Sequence, residues 1–177
     1  RDGRQKKTGG EDIRGSKEAR RKRAEDVGLR PNTSEKWSGD DLLHLLMGSI
    51  VEPHLGKDKL TAIIDYPASQ AALAQTFNRN NETVARRFEI YFQGVELANG
   101  YQELTDSLEQ QKRLHDSNQK RQEKGKPKLP IDPHFLKALA KGLPECCGVA
   151  VGFDRLMMLH MKKDSIDEII PFGWDEI

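Results

Sequence analysis

Three glutamates, Glu89, Glu96 and Glu103, recur at intervals of seven within the stretch FEIYFQGVELANGYQEL. Carboxylates held close together raise one another's pKa and cannot all stay ionised unless cations sit among them. A divalent metal and an ammonium group would serve, and hard oxygen ligands suit Mg²⁺. A period of seven could be one stripe of a helix, but the composition opposes it. FEIYF is β-branched and aromatic, Gly94 interrupts the run, and Asn99-Gly100 is a turn or bulge signal. In a straight strand, residues an odd number apart face opposite ways. Glu89 and Glu96 then share a face only if one residue is bulged out between them, and Gly94 is best able to permit that. A second slip at Asn99-Gly100 brings Glu103 to the same side, so that three carboxylates and the Asn99 amide converge. The competing reading leaves one or more of these acids facing water or paired with Arg86 or Arg87.

A second candidate is GVAVGFDR. Gly148 and Gly152 lack side chains, so a flat ring could lie against the backbone. Arg155, at the start of a helix, adds a guanidinium fork to the positive helix end. In outline this is a phosphate-and-nucleobase arrangement; its plain alternative is a surface ion pair between Asp154 and Arg155. No Ser/His/Asp or Cys/His nucleophile pattern competes, and the five histidines are scattered.

The elements that must position these residues follow from local pattern. Residues 1–14 lack a hydrophobic period and read as loop or disorder. A short charged helix fits Ser16 to Val27, ended by Gly28 and Pro31. Ser38 and Asp41 resemble a capping box ahead of a helix carrying Leu42, Leu43, Leu45, Leu46 and Ile50. LTAIIDY, residues 60–66, reads as a buried strand stopped by Pro67 and followed by the loop PASQ. Thr83–Gln93 continues as strand, with Val95–Ala98 a second short piece. Thr105 or Asp106 caps a long charged helix to about Lys124, and Asp132-Pro133 opens another that closes at Gly142. GVAVGFDRLMMLHM passes from strand into amphipathic helix, and Ile169–Phe172 is a strand-like cluster. The order suggests an α+β fold, a mainly antiparallel sheet with helices packed on it.

The 177 residues, with 36% hydrophobic and 32% charged, suit one globular domain or a large piece of one. No apolar run approaches the roughly 20 residues of a membrane span. A net charge of +1 opposes nucleic-acid binding by the whole chain. The basic lead, residues 1–36, holds twelve Lys/Arg against seven Asp/Glu, and its EARRKRAED stretch reads as a solvated helix face. Adjacent Cys146 and Cys147 oppose a disulfide framework, suit a reducing cytoplasm, and read as small buried hydrophobes. The chain opens at Arg1, with its first methionine at Met47, which predicts an interior start.

Taken together, DYPASQAALAQ, RRFEIYFQGVELANGYQELTD, NQKRQEKGKPKLPID and LPECCGVAVGFDRL resemble the class II aminoacyl-tRNA synthetases of the lysyl type. They are most similar to the paralogues that attach β-lysine to elongation factor P. The likeness runs from about Trp37 to the end, which divides the chain into a lead at 1–36 and the C-terminal part of a catalytic domain at 37–177. The resemblance implies ATP and Mg²⁺ as cofactors, with Glu96 and Glu89 on the metal side. Leu97, Gly152 and Arg155 would lie at the nucleotide, and Glu96 and Arg155 would act in catalysis. Asn99, Glu103 and Ala150 would face a lysine-type substrate, Glu103 pairing with its ammonium. Ala150 stands where lysyl-tRNA synthetases usually carry glycine, which favours the paralogue. The implied partners are lysine or β-lysine and elongation factor P, with a homodimer when full-length and no membrane. Transfer to tRNA and a non-catalytic binding module are the alternatives. The family's motifs 1 and 2 are not found, so the expectation is a partial ATP site, and Phe153 replaces a smaller aliphatic residue.

Overall fold

The computed structural model describes residues 15–30 and 37–173. The loop expected over 1–14, the role expected of Pro31 and the proposed boundary at 36/37 involve residues outside that set. The described residues fall into two compact units dividing between Pro53 and His54.

In the first unit, α1 (Lys17–Asp26) starts where Ser16 Oγ accepts a hydrogen bond from the Ala19 N–H, and it stops ahead of Gly28 at φ +79°. Helix α2 (Gly39–Leu46) has the expected capping box between Ser38 and Asp41. Its Leu42, Leu43 and Leu46 are buried, as is Ala24 of α1, and Arg20 Nη1 ties the two by donating to the Gly39 carbonyl at 2.9 Å. The chain continues from α2 as a π-helical turn over Met47–Val51.

The second unit is built on an antiparallel sheet of β1 (Thr61–Pro67), β2 (Thr76–Arg79), β3 (Glu82–Phe92), β4 (Val95–Gln102) and β5 (Cys147–Val151). The order is β1-β3-β4-β5, with β2 also paired to β3. Both hairpins turn on two consecutive residues with positive φ, Asn80-Asn81 and Gln93-Gly94, the geometry that matches the twist of the flanking strands. Gly94 therefore reverses the chain and does not bulge a continuous strand. Its N–H and that of Gln93 bond the carbonyls of Leu55 and Gly56, each at 2.8 Å, which seats the turn.

Several expectations need correction. Strand β1 lies at the end of the sheet order and is not buried; Ile64 is 56% exposed. PASQ is not a plain loop, because Ala68–Gln70 forms a 3₁₀ turn. Strand β2 was not expected, since TFNR is too short and polar to show a period. Strand β4 runs to Gln102, through Asn99-Gly100, with no slip there. Pairing to β3 and β5 overrides the local turn preference, and Gly100 is needed for another reason: a side chain would strike the Phe88 ring. The Ile169–Phe172 cluster forms no strand and follows a 3₁₀ turn at Ile166–Glu168. Cys147 is exposed and Cys146 half-buried, because both stand on or beside the outer strand β5.

Helix α3 (Ser107–Glu123) is capped by Asp106, whose Oδ1 accepts from the N–H groups of Leu108 and Glu109. Arg113 of α3 donates to the carbonyls of Ala72 and Ala74, at 3.0 and 2.7 Å. Helix α4 (Pro133–Ala140) is capped by Asp132, and α5 (Phe153–His160) leaves β5 through Gly152. Small residues let chains approach closely at the centre of the unit, where Ala71, Ala74 and Ala85 pack together against Tyr66 and Tyr101.

Candidate active site

Residues paired across an antiparallel ladder project to the same side of the sheet. Glu89 of β3 pairs with Asn99 of β4, Arg87 with Tyr101, and Tyr91 with Glu96. On the other side of β4, Asn99 pairs with Ala150 and Tyr101 with Gly148 of β5. All of these occupy one face. Glu96 reaches it because the register slips between the Ile90–Ala98 and Tyr91–Glu96 pairs, which leaves Leu97 as the extra residue. The bulges expected at Gly94 and at Asn99-Gly100 are both absent, and the pairing of β3 with β4 slips instead at Leu97, where no bulge was expected. Glu103 then follows Asn99 and Tyr101 in ordinary alternation.

The acids share a face but do not form one cluster. With a rise of about 3.3 Å per residue, Asn99 and Glu103 stand roughly 13 Å apart along the strand, and Glu96 and Glu103 roughly 20 Å. Among the described residues no group of three His, Cys, Asp or Glu side chains could hold a metal ion. The arrangement is an elongated track with different chemistry at its two ends and a buried knot between.

At one end, Arg155 in the first turn of α5 donates from Nη1 to the Glu96 carbonyl at 2.9 Å and lies 3.8 Å from Glu96 Oε2. Gly152, the N-cap of α5, is tied to the same strand by its N–H to the Leu97 carbonyl, 2.8 Å. Glycine, arginine and glutamate are thus brought together beside a helix N-terminus. The carboxylate of Glu96 and the guanidinium of Arg155 are both partly exposed, and such a pair can meet a phosphate and its cation.

At the other end, the Glu103 N–H bonds the Cys146 carbonyl at 3.0 Å, and the Glu103 carbonyl accepts from Gln75 Nε2 at 3.0 Å. The Glu103 carboxylate lies over Gly148, where any Cβ would fall well inside contact distance of Oε1. Gly148 is therefore the residue that lets Glu103 cross β5. Glu145 fixes the neighbouring strands by accepting from both Gln75 Nε2 and Gln102 Nε2.

Between the ends sits Glu89, 7% exposed. It is ion-paired with Arg87, accepts from Tyr91 Oη at 2.7 Å, and accepts from Asn99 Nδ2 at 3.4 Å. Arg87 lies over the Tyr66 ring at 4.4 Å, with the Tyr101 ring 5.9 Å away, and donates from Nη1 to the Gln70 carbonyl at 2.8 Å. Tyr66 reaches this face because β1 slips between Ile64 and Tyr66, with Asp65 at φ +60° and ion-paired to Arg79. The Asn99 Oδ1 is buried without a hydrogen-bond partner, so a bound group bearing an N–H or O–H would satisfy it.

Burial pushes the Glu89 carboxyl up, but the nearby Tyr66 phenol, the hydrogen bond from Tyr91 and the Arg87 guanidinium outweigh it and hold the group below its ordinary range. Burial, then the adjacent Glu89 carboxylate, raises the Tyr66 phenol. An unfolded glutamate titrates near about pH 4.3. Below that value the unfolded chain takes up a proton that folded Glu89 still refuses. The stabilisation is therefore complete above the unfolded value and fades as pH falls through the lower folded one. Thermal melting of the full-length protein is expected to drop more steeply as pH falls below about 4.3 than melting of Glu89→Gln. Parallel acid limbs would show that Glu89 is not held as described.

The competing sequence reading, an acid paired with Arg86 or Arg87, holds for Glu89 and Arg87, while the parts played by Tyr66, Tyr91 and Tyr101 were not foreseen. The alternation Arg87, Glu89, Tyr91 was the available signal, because three polar-tipped residues at period two on a strand must face one another's surroundings. Nothing local marks Asp65 as the place where the pairing of β1 with β3 slips.

The class II tRNA synthetase model for the D, K and N enzymes matches residues 25–176. A Salmonella gallinarum protein named elongation factor P-(R)-beta-lysine ligase is 52% identical over 136 residues, 77% of this chain and 42% of that protein. A protein of the same name from Salmonella dublin matches with the same identity and coverage. The chain thus spans less than half the length of these relatives. Extending over most of the chain, the match shows that it belongs to the class II tRNA synthetases of the D, K and N group.

Proposed function

We infer that the complete protein activates a lysine-type amino acid with ATP and transfers it to a lysine side chain of elongation factor P. The observation carrying this reading is the elongated face of β4, with Glu96 and Arg155 at one end, Glu103 over Gly148 at the other, and Asn99 between. The names of the Salmonella relatives supply the acceptor and the amino acid.

In the first step a carboxylate oxygen of the amino acid attacks the α-phosphorus of ATP, and the bond to pyrophosphate breaks. In the second, the acceptor amine attacks the acyl carbon, and AMP leaves with the electron pair. Glu103 offers the carboxylate for the side-chain ammonium and so sets the amino acid along the strand. Arg155 neutralises phosphate charge from the helix end, which counts most where charge builds in the transition state. Gly152 and Leu97 shape the nucleotide wall through their backbone. Ala150 is paired with Asn99, so its methyl stands beside the amide and trims the space for the amino acid.

Mg²⁺ is commonly held by one or two carboxylates together with substrate phosphates. Glu96 suits that pattern, and the metal when bound would neutralise phosphate oxygens. Glu89, the second acid expected on the metal side, is buried and accepts from Arg87, Tyr91 and Asn99, which uses three of the roughly four acceptor positions of its carboxylate.

Pyrophosphate exchange by the full-length protein, with α-lysine and with (R)-β-lysine, tests the reading. Exchange that (R)-β-lysine drives best, followed by transfer to elongation factor P, is expected. Transfer to tRNA-Lys alone would make the protein a synthetase, and no exchange with either amino acid would overturn the activation step.

A further inference from the structure

We propose that the connection between α3 and α4 is a docking surface for an acidic face of the acceptor protein. The inference rests on the acceptor reading above and adds a contact remote from the reacting atoms. A lone lysine side chain buries far less than the roughly 800 Å² per partner of a specific complex, so the acceptor has to be recognised on further surface.

Polar bonds hold the connection in one course. Asn118 of α3, 8% exposed, donates from Nδ2 to the Leu129 carbonyl at 2.9 Å and accepts at Oδ1 from the Leu129 N–H at 2.8 Å, as a neighbouring strand would. Arg121 Nε donates to the Pro127 carbonyl at 2.9 Å, and the Arg121 carbonyl accepts from the Lys126 N–H, also at 2.9 Å. Pro127 and Pro130 narrow the backbone further. A segment fixed in this way has little freedom left to lose when a partner settles on it.

Its charge is one-sided. Between Gln119 and Ile131, Lys120, Arg121, Lys124, Lys126 and Lys128 stand against Glu123 alone, in a chain whose net charge is +1. Lys120, Lys126 and Lys128 are exposed. Beside them an open cleft of about 580 Å³ is lined by His115, Gln119 and Gln122 of α3 and by Lys128, Leu129 and Ile131 of the connection. Ammonium and amide groups suit the carboxylates and main chain of a protein surface. Among the described residues no Phe, Tyr or Trp lines the cleft to stack a base, which favours protein over RNA.

The place also fits. Arg113 ties α3 to the carbonyls of Ala72 and Ala74, and Ala74 bridges to Glu103. Asn118 and Arg121 follow Arg113 by about 8 and 12 Å along the helix axis. The basic surface therefore lies within the breadth of one small domain, about 30 Å, of the Glu103 end. An acceptor whose lysine enters the track spans that distance.

The full-length protein carrying Lys120→Glu/Lys126→Glu/Lys128→Glu is compared with the unaltered protein. The KM for elongation factor P in the transfer step is expected to rise about tenfold and to depend less on salt, while the KM values for ATP and amino acid in pyrophosphate exchange stay within about twofold. A rise below about threefold overturns the proposal, and so does an equal loss in exchange, which would place the effect at the reacting site. Loss of tRNA-Lys binding with the acceptor KM unmoved would make this an RNA surface and also overturn it. Should the triple variant fail to fold, the neutral Lys120→Ser/Lys126→Ser decides by the same criteria. If the unaltered protein transfers nothing to elongation factor P, the acceptor reading itself has failed and this surface with it.

Discussion

Arg87→Met is expected to destabilise the full-length protein by about 3–5 kcal/mol, the usual cost of leaving one member of a buried ion pair unpaired. The side chains of Arg87 and Glu89 are 17% and 9% exposed, so water cannot replace the lost partner cheaply. Methionine keeps much of the arginine's length and its contact with the Tyr66 ring, so most of the loss reflects charge. Urea denaturation followed by circular dichroism gives the value. The double variant Arg87→Met/Glu89→Leu is expected to recover part of it, because no charge is then stranded, while Tyr91 Oη and Asn99 Nδ2 lose their acceptor. A single-variant loss below about 1 kcal/mol would mean that the pair behaves like an exposed one.

Glu103→Gln is expected to weaken binding of the lysine-type amino acid by about tenfold to a hundredfold, the equivalent of a charge-assisted hydrogen bond worth about 1.5–3 kcal/mol. ATP affinity should stay within about twofold, because Glu96 and Arg155, the nucleotide contacts proposed above, lie roughly 20 Å along the strand. The substitution keeps the shape of the side chain and the backbone bonds to Cys146 and Gln75, so the fold is not at stake. Gly148→Ala should act in the same direction by pushing the carboxylate off β5. Calorimetric titration with each ligand separates the outcomes, and equal loss of both affinities would remove Glu103 from the amino-acid end.

Much of this arrangement was legible in the sequence, and the reasons are specific. Caps were readable because Ser38, Asp106 and Asp132 bond backbone within two or three residues of themselves. The shared face of the acids was readable because strand alternation is strict and only a slip reconciles odd spacings. The place of the slip was not, since Leu97 carries no backbone signature and Gly94 offered a more obvious one that the hairpin turn consumed. Asn99-Gly100 misled for a related reason. A turn-forming pair inside a strand flanked on both sides is held flat by two ladders, and the glycine is explained by the Phe88 ring. The Arg87 knot needed tertiary information, because Tyr66 belongs to a strand whose own irregularity decides which way it points.

The extra residue at Leu97 also governs how this segment can change length. It sets the phase between the Gln93-Gly94 turn and everything that follows on β4. Deleting one residue between Val95 and Ala98 would either erase the kink or invert the outlook of Asn99, Tyr101 and Glu103 against their neighbours. Natural variation there should consequently consist of substitutions, while gaps and insertions gather in connections where no ladder keeps count.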